Sequence, residues 1–459
     1  MFIQGLPEEL LDLCLLYLNT QSLGTVRLVS KQLLPAATKR LFEHVALQPT
    51  AHSAEKARTI LNHETLNPLV TTIAFHTSED PLKQGHNALY NEAEDTAGEL
   101  PEVYEEVVHE VGRFRNLRQV QLIYAMEVAA PKSDAILEKE VVQTWEWRNV
   151  VLKMLVESLN DQDHPANKVQ ALTIGDLQDM TVKKTVTSKD FKAVLSRLDT
   201  LELQIATEYV DAAPETSIEL EEVHTFFGID LKQYWLRPVQ HQLVHLKLYA
   251  RETYWGYLPF FDPQDLHFPA LKHLALGNYS FTHDWQLDWI LSHAETLQSL
   301  VLDDCPIVHA CRIYPACGPD RMPPDYKTFN KYTANIGPDS EWVYGSRWHD
   351  YSRRMRDGLP ELRHFACGHG PWDEGRSFDA SDSLQAHLAL QRYCIFDGST
   401  GPSPWIEPER VTVSGTTAES GIQYDCCWNG DTEPPKYPDC EKEDQAALDD
   451  LMETIRCRA

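Results

Sequence analysis

The chain has 459 residues, and its 69 Asp and Glu outnumber 41 Lys and Arg, giving a formal net charge of −28 and an isoelectric point near 5.0. Phosphate backbones are held by Lys and Arg, so this balance argues against a nucleic-acid partner. The length supports a large core, with about two to four domains as the soft expectation.

The first organised stretch runs from Gly5 to Leu47. Pro7 suits a first helical position, where its missing N–H has no partner to lose, and Glu8 and Glu9 complement the positive end of a helix dipole. The pattern predicts a helix from Pro7 to Leu18, a turn at Asn19-Thr20-Gln21-Ser22, a second helix over Leu23 to Lys31 and a third closing at Leu41-Phe42. Leu6, Leu10, Leu11, Leu13, Cys14, Leu15, Tyr17 and Leu18 fall all round the first helical wheel. That is more apolar surface than a unit of about 45 residues hides, so part of it has to meet something else.

Leu6-Pro7-x-Glu9, then Leu15, Leu18 and Leu23, then Val26-Arg27-Leu28-Val29-Ser30-Lys31 together resemble an F-box. One residue departs from the family pattern: Cys14 stands where Ile is usual, and it is still small and apolar. The resemblance implies a three-helix unit over residues 2–48 that docks on the Skp adaptor, itself bound to a cullin. The residues it assigns to docking are Leu6, Pro7, Glu9, Leu10, Leu15, Leu18, Leu23, Val26, Leu28 and Val29. It further implies that the rest of the chain holds a protein substrate for ubiquitination, and that no catalytic residue is expected.

After this unit the dominant pattern is Leu-x-x-Leu-x-Leu, at Leu198, Leu243, Leu271 and Leu297. Weaker copies are Val70/Ile73/Phe75, Leu117/Val120/Leu122, Val169/Leu172/Ile174 and Leu362/Phe365/Cys367. The steps from Val169 to Leu198, Leu243 to Leu271 and Leu271 to Leu297 fall within the roughly 20 to 29 residues of leucine-rich repeats, and the longer steps require insertions. The copy at Leu297 extends to Cys305, where a small residue turns the chain out of the strand. Helices are predicted between copies: Trp145 to Leu159, Lys189 to Leu198 capped by Ser188, and one beginning at Thr282 or Asp284. The fold class expected is therefore α/β: a three-helix F-box, then an irregular leucine-rich-repeat-like solenoid over 49–378, then a C-terminal extension over 379–459. The whole resembles fungal F-box proteins with degenerate repeats.

In such a unit the side chains that alternate with the core leucines line a parallel sheet. His245, Lys247, Tyr249, His273, Ser299 and Asp303 are on that face and are candidates to hold a substrate. The acidic stretches Glu92 to Glu110 and Glu208 to Glu222 read as solvated loops or loose helices. The longest insertion, about 306–360, carries Trp342, Tyr344 and Trp348 ahead of Arg353, Arg354 and Arg356, the composition of an interface hot spot or of a plug at the solenoid edge. Glu441 to Arg456 reads as an amphipathic helix on Leu448, Leu451, Met452 and Ile455, suited to cover an open repeat end.

No nucleophile elbow, phosphate loop, zinc-protease helix or dinucleotide fingerprint is present, so the pattern is that of a binding protein without a cofactor. His364, Cys367 and His369 form His-x-x-Cys-x-His without a nearby fourth ligand, and free thiols are the simpler expectation. Acids near the N-terminus and the lack of a long apolar run predict a protein of the cytoplasm or nucleus with no membrane partner. The alternative function is a leucine-rich-repeat scaffold outside ubiquitination.

Overall fold

The computed structural model describes residues 8–78, 90–91, 96–97, 100–125, 128–129, 143–207, 220–250, 254–313, 340–370, 384–388, 392–397 and 437–458. Three helices open the chain: α1 (Glu8–Leu16), α2 (Thr20–Val29) and α3 (Leu34–Glu43). The stretch read as a four-residue turn is shorter, because Asn19 caps α2 by accepting from Ser22 N at 2.8 Å.

The rest is built on strands β1 (His44–Leu47), β2 (Thr72–His76), β3 (Gln119–Ile123), β4 (Ala171–Gln178), β5 (Thr200–Ala206), β6 (His245–Ala250), β7 (His273–Gly277) and β8 (Ser299–Asp303). They are followed by β9 (Ile307–Ile313), β10 (Ser340–Val343), β11 (His364–Gly368) and β12 (Tyr393–Asp397). A nine-stranded sheet, wholly parallel, runs β1 through β8 in chain order and ends on β11. A separate three-stranded sheet has the order β10-β9-β12.

Register explains the order. Val45, Ile73, Val120, Leu172, Leu201, Leu246, Leu274, Leu300 and Phe365 are aligned across the large sheet. Two residues on, Leu47, Phe75, Leu122, Ile174, Leu203, Leu248, Leu276, Leu302 and Cys367 form a second row. All are buried in one core. A one-residue slip of any strand turns both of its apolar residues outward, which pins each strand against its neighbours. All eight predicted motif segments form strands of this sheet, and their leading residues, from Val70 to Leu362, are buried as well.

Parallel neighbours need crossovers, and here these are largely helical: α4 (Ala51–Asn62), α5 (Glu102–His109), α6 (Trp145–Leu159), α7 (Lys189–Leu195), α8 (Glu221–Thr225) running into a π-helical stretch over Phe226–Leu236, α9 (Asp284–Leu291) and α10 (Trp348–Gly358). Their apolar faces share the core with the two rows, so they lie on one side of the sheet. Caps follow the sequence: Thr144 accepts from Trp147 N and Ser188 from Phe191 N. Between β6 and β7 the described chain has no helix; Trp255, Phe261 and Phe268 fill that place.

Two expectations need correction. The acidic stretch Glu92 to Glu110 contains α5, a core helix, because Tyr104, Val107 and Val108 recur at helical spacing and are buried while the glutamates face outward. The stretch 306–360 is also more than an inserted loop: it supplies β9 and α10, and Trp348, Tyr351 and Met355 enter the main core.

The last helix, α11 (Glu441–Arg458), packs on α10 through Leu448, Leu451 and Ile455. Asp444, in its first turn, is fully buried and accepts from Arg392 Nε at 3.0 Å, the Tyr393 hydroxyl at 2.9 Å and the His349 backbone N–H at 3.0 Å, with His349 Nδ1 at 2.8 Å. At the other end Arg458 donates to the carbonyls of Leu359 and Arg356. Burial alone raises the Asp444 carboxyl, but Arg392, Tyr393, His349 and Cys440 outweigh it and hold the group below its ordinary value. No helix among the described residues is long and apolar enough to cross a membrane.

Asp444→Asn should cost about 3 to 5 kcal/mol, because it leaves Arg392 buried without its counter-charge. A lowered melting temperature and earlier proteolysis of α11 are the expected readouts, and an unchanged melting curve contradicts the clamp. Because the folded group lies below the unfolded value of about 4, its contribution is complete above that pH and is lost as pH falls through the folded value.

Candidate functional site

The three N-terminal helices enclose only a small core of their own: Leu15, Leu23, Ala36 and Ala37, with Leu18, Val26 and Leu41 packed against it. Asp12 braces α1 to α3 through Lys39 at 3.1 Å, and Arg27 Nε donates to Thr38 Oγ1 at 3.0 Å while its guanidinium lies over the Phe42 ring. Outside this core, Leu10, Leu13, Leu16 and Tyr17 on and just after α1, Leu28 and Val29 on α2 and Leu34 on α3 are between 41% and 87% exposed. Exposed apolar residues are ordinary singly, but seven from three short helices form a candidate docking surface.

The second site lies on the side of the sheet away from the helices. Thr173 Oγ1 donates to Glu202 Oε2 at 2.8 Å, His245 Nε2 lies 3.2 Å from Glu202 Oε1, and the His245 ring stacks on His273. Further along, Ser299 Oγ and His364 Nδ1 are 2.9 Å apart. Burial raises the Glu202 carboxyl, but His245, Lys247 and Thr173 outweigh it and leave the group below its ordinary value. Lys247 Nζ lies 5.6 Å from the centre of the Tyr249 ring.

Tyr249, Gly277 and Asp303 are aligned on three successive strands. Gly277 has no side chain, so the Tyr249 ring lies across it and the hydroxyl donates to Asp303 Oδ2 at 3.2 Å; a methyl group on Gly277 would come within 2.1 Å of that ring. Gly370 N donates to the other oxygen of Asp303 at 2.7 Å. Burial first, and Asp304 second, push the Asp303 carboxyl up to about 7 against the pull of these donors and His369.

A family model for the F-box domain matches residues 3–42, the span of α1, α2 and nearly all of α3. The chain carries an F-box domain. An F-box implies docking on the Skp adaptor and, through it, a cullin. Among curated proteins none matches the chain.

Within the F-box the predicted docking residues divide. Leu10, Leu28 and Val29 are exposed, whereas Leu15 and Leu23 are buried inside the helical unit and Leu18 and Val26 pack against them. Those four shape the face from beneath instead of offering area to a partner. Leu6 and Pro7 lie outside the described residues, and Glu9 lies on α1. Leu13, Leu16, Tyr17 and Leu34 join the exposed set; a wheel apolar all round does not say which side the small core takes.

On the sheet, His245, His273 and Ser299 remain accessible at the beginnings of their strands, but Lys247, Tyr249 and Asp303 are 2%, 6% and 1% exposed, so they are not the solvated strand face the alternation suggests. Tyr344 and Trp348 are core members: the Tyr344 hydroxyl bonds Asp284 and Tyr351, and Trp348 Nε1 donates to the Arg392 carbonyl. Their rings therefore offer no area to a ligand and act as plugs. Trp342 lies on β10.

The strand alternation puts His364 and Cys367 on opposite faces, and His369 Nδ1 is instead 2.7 Å from Asp304. Among the described residues, His349, Cys440 and Asp444 form a group with ligand atoms within 4.8 Å of one another. Arg392 already supplies the positive charge to Asp444, so these residues fit an ion-pair clamp and not a metal centre.

Asp303 allows a pH test. An unfolded Asp titrates near 4, so the folded state binds this proton more tightly, and the group's stabilising contribution falls as pH rises from about 4 to 7. Urea unfolding of the parent and of Asp303→Asn should therefore show the parent losing stability relative to the variant between pH ~5 and ~7.5. A pH-independent difference contradicts a proton held by the buried Asp303 carboxyl.

Proposed function

We propose that this F-box protein is a substrate-recognition subunit of a Skp–cullin–F-box ubiquitin ligase, with the large sheet and its helices acting as a leucine-rich-repeat-like solenoid that holds a protein substrate. The observation that carries the reading is the coincidence of the F-box match at residues 3–42 with an outward apolar face on α1 and α2. The core cluster under that face is small, four buried residues with three more packed against them, so the helices gain more from a partner than from one another. The adaptor supplies apolar surface to cover it. Ubiquitin transfer belongs to the other subunits, and the task of this chain is to bring two proteins together.

The solenoid reading is supported by strand order and spacing. Strands laid down in chain order, each following a crossover of one repeat, build a surface that lengthens with each copy. Just past the ends of β7 and β8 stand left-handed Asn278 and Asp304, with φ of 57° and 48°, and Asp176, with φ of 54°, lies at the register irregularity within β4; all are residue types that tolerate this conformation. Asn278 Nδ2 donates to the Ala250 carbonyl of the preceding strand, and the Cys305 thiol donates to Leu276 O. Such side-chain bonds from one turn to the one before it suit a stack of repeats.

Adaptor binding tests the assignment. A fully buried Leu is worth roughly 1.5 to 3 kcal/mol, so replacing Leu10 and Leu28 together by Ala should cost about 3 to 6 kcal/mol, a hundredfold to ten-thousandfold loss of affinity for the Skp adaptor. Both residues are exposed, so thermal unfolding should be unchanged. Leu15→Ala should behave oppositely, loosening the helices themselves because its side chain is internal. Wild-type adaptor affinity in the double variant rules this face out.

A further inference from the structure

The side of the sheet away from the helices is partly occupied by the chain itself. Ala275, Val301 and Ala366 are aligned on β7, β8 and β11, and with Tyr249 they form an apolar cluster separate from the main core. Leu384 packs onto this cluster from a short segment, residues 384–388, that follows β11 in the sequence. The same segment reaches the main core on the other side: Ala386 and Leu388 pack there. It therefore crosses the edge of the sheet at β11.

Its backbone takes part. His387 N donates to the Cys367 carbonyl at 2.9 Å, a bond from the last strand of the sheet to an added extended segment. Gly368 makes room for it: its φ is +143°, and a methyl group there would come within 2.5 Å of His387 Nδ1. Backbone bonds to a sheet edge, with a side chain seated in an apolar depression, are how folded domains capture extended peptides. Leu384 remains partly exposed and the side chains of Gln385 and His387 reach solvent, so the hold is light.

We propose that residues 384–388 form an autoinhibitory strap, an internal occupant of a site that takes an extended peptide presenting an aliphatic side chain to Ala275, Val301 and Ala366. This rests on the reading that the sheet holds the protein substrate. In the arrangement described, the strap and such a peptide compete for the same carbonyl of Cys367 and the same apolar floor. A tethered occupant acts at an effective concentration on the order of millimolar, so it masks the site from dilute ligands while losing to a tight one.

The probe is a fluorescently labelled synthetic peptide with the sequence of residues 383–389, Ser-Leu-Gln-Ala-His-Leu-Ala, measured by anisotropy against the full-length protein. Leu384→Asp should bind it at least about tenfold more tightly than the parent, by removing the competing side chain. Ala366→Asp added to that variant should abolish the gain. Leu384→Ala, the milder change, should move affinity in the same direction and serves as the deciding variant if Leu384→Asp fails to fold. Equal affinity for parent and folded Leu384→Ala, or no binding to either, overturns the strap. No substrate enters this measurement, so its failure counts against the strap alone; the substrate reading fails separately if Gln121→Arg, on a strand that residues 384–388 do not reach, changes the turnover of no protein whose degradation depends on this chain.

Discussion

A parallel strand that gives alternate residues to a shared core leaves the intervening residues one place to go. In this protein that constraint acts nine times over, because the two apolar rows from Val45 to Phe365 and from Leu47 to Cys367 are buried on the same side. Helices must then gather on that side, since their own apolar stripes have the same core to meet. Connections are forced to the ends of the strands, and the polar residues Thr173, Glu202, His245 and Ser299 are brought together on the opposite face. The candidate binding surface is thus a consequence of leucine packing, not an independent feature added to it.

The two ends of the sheet are closed by different chemistry. At the start, α3 passes straight into β1, and Thr71 N donates to the Glu43 carbonyl where they join. At the finish, α11 is held by a buried carboxylate whose desolvation is offset by Arg392, Tyr393 and His349. Such a clamp is sensitive to the loss of any one partner, because the others are left buried and unmatched.

Much of this architecture was legible from spacing. Leu-x-x-Leu-x-Leu located eight strands because that interval puts three residues into one core at once. The ninth, β1, has the same form in Phe42-x-x-Val45-x-Leu47, but an aromatic lead and its place at the end of the third helix hid it. Glutamates at 102, 105 and 106 concealed α5, although Tyr104, Val107 and Val108 hold its buried stripe. The burial of Trp348, Tyr351 and Met355 was available as a helical period, whereas composition alone left an interface hot spot and a plug at the solenoid edge both open. Covering of Tyr249 and Val301 by Leu384 was not readable at all, because the contact joins segments far apart in sequence and no local pattern encodes it. Within the F-box, position in the family pattern identified the docking unit but could not separate Leu15, which faces inward, from Leu16, which faces out.

The claim on which the account turns is that the outward apolar face of the F-box, and not the sheet, is what the Skp adaptor covers. Hydrogen–deuterium exchange of the full-length protein with and without saturating adaptor tests it directly. The account predicts slowed exchange in α1 and α2, with β4 to β8 unchanged. Exchange in α1 and α2 that is indifferent to the adaptor, or protection that falls on the sheet instead, would contradict it.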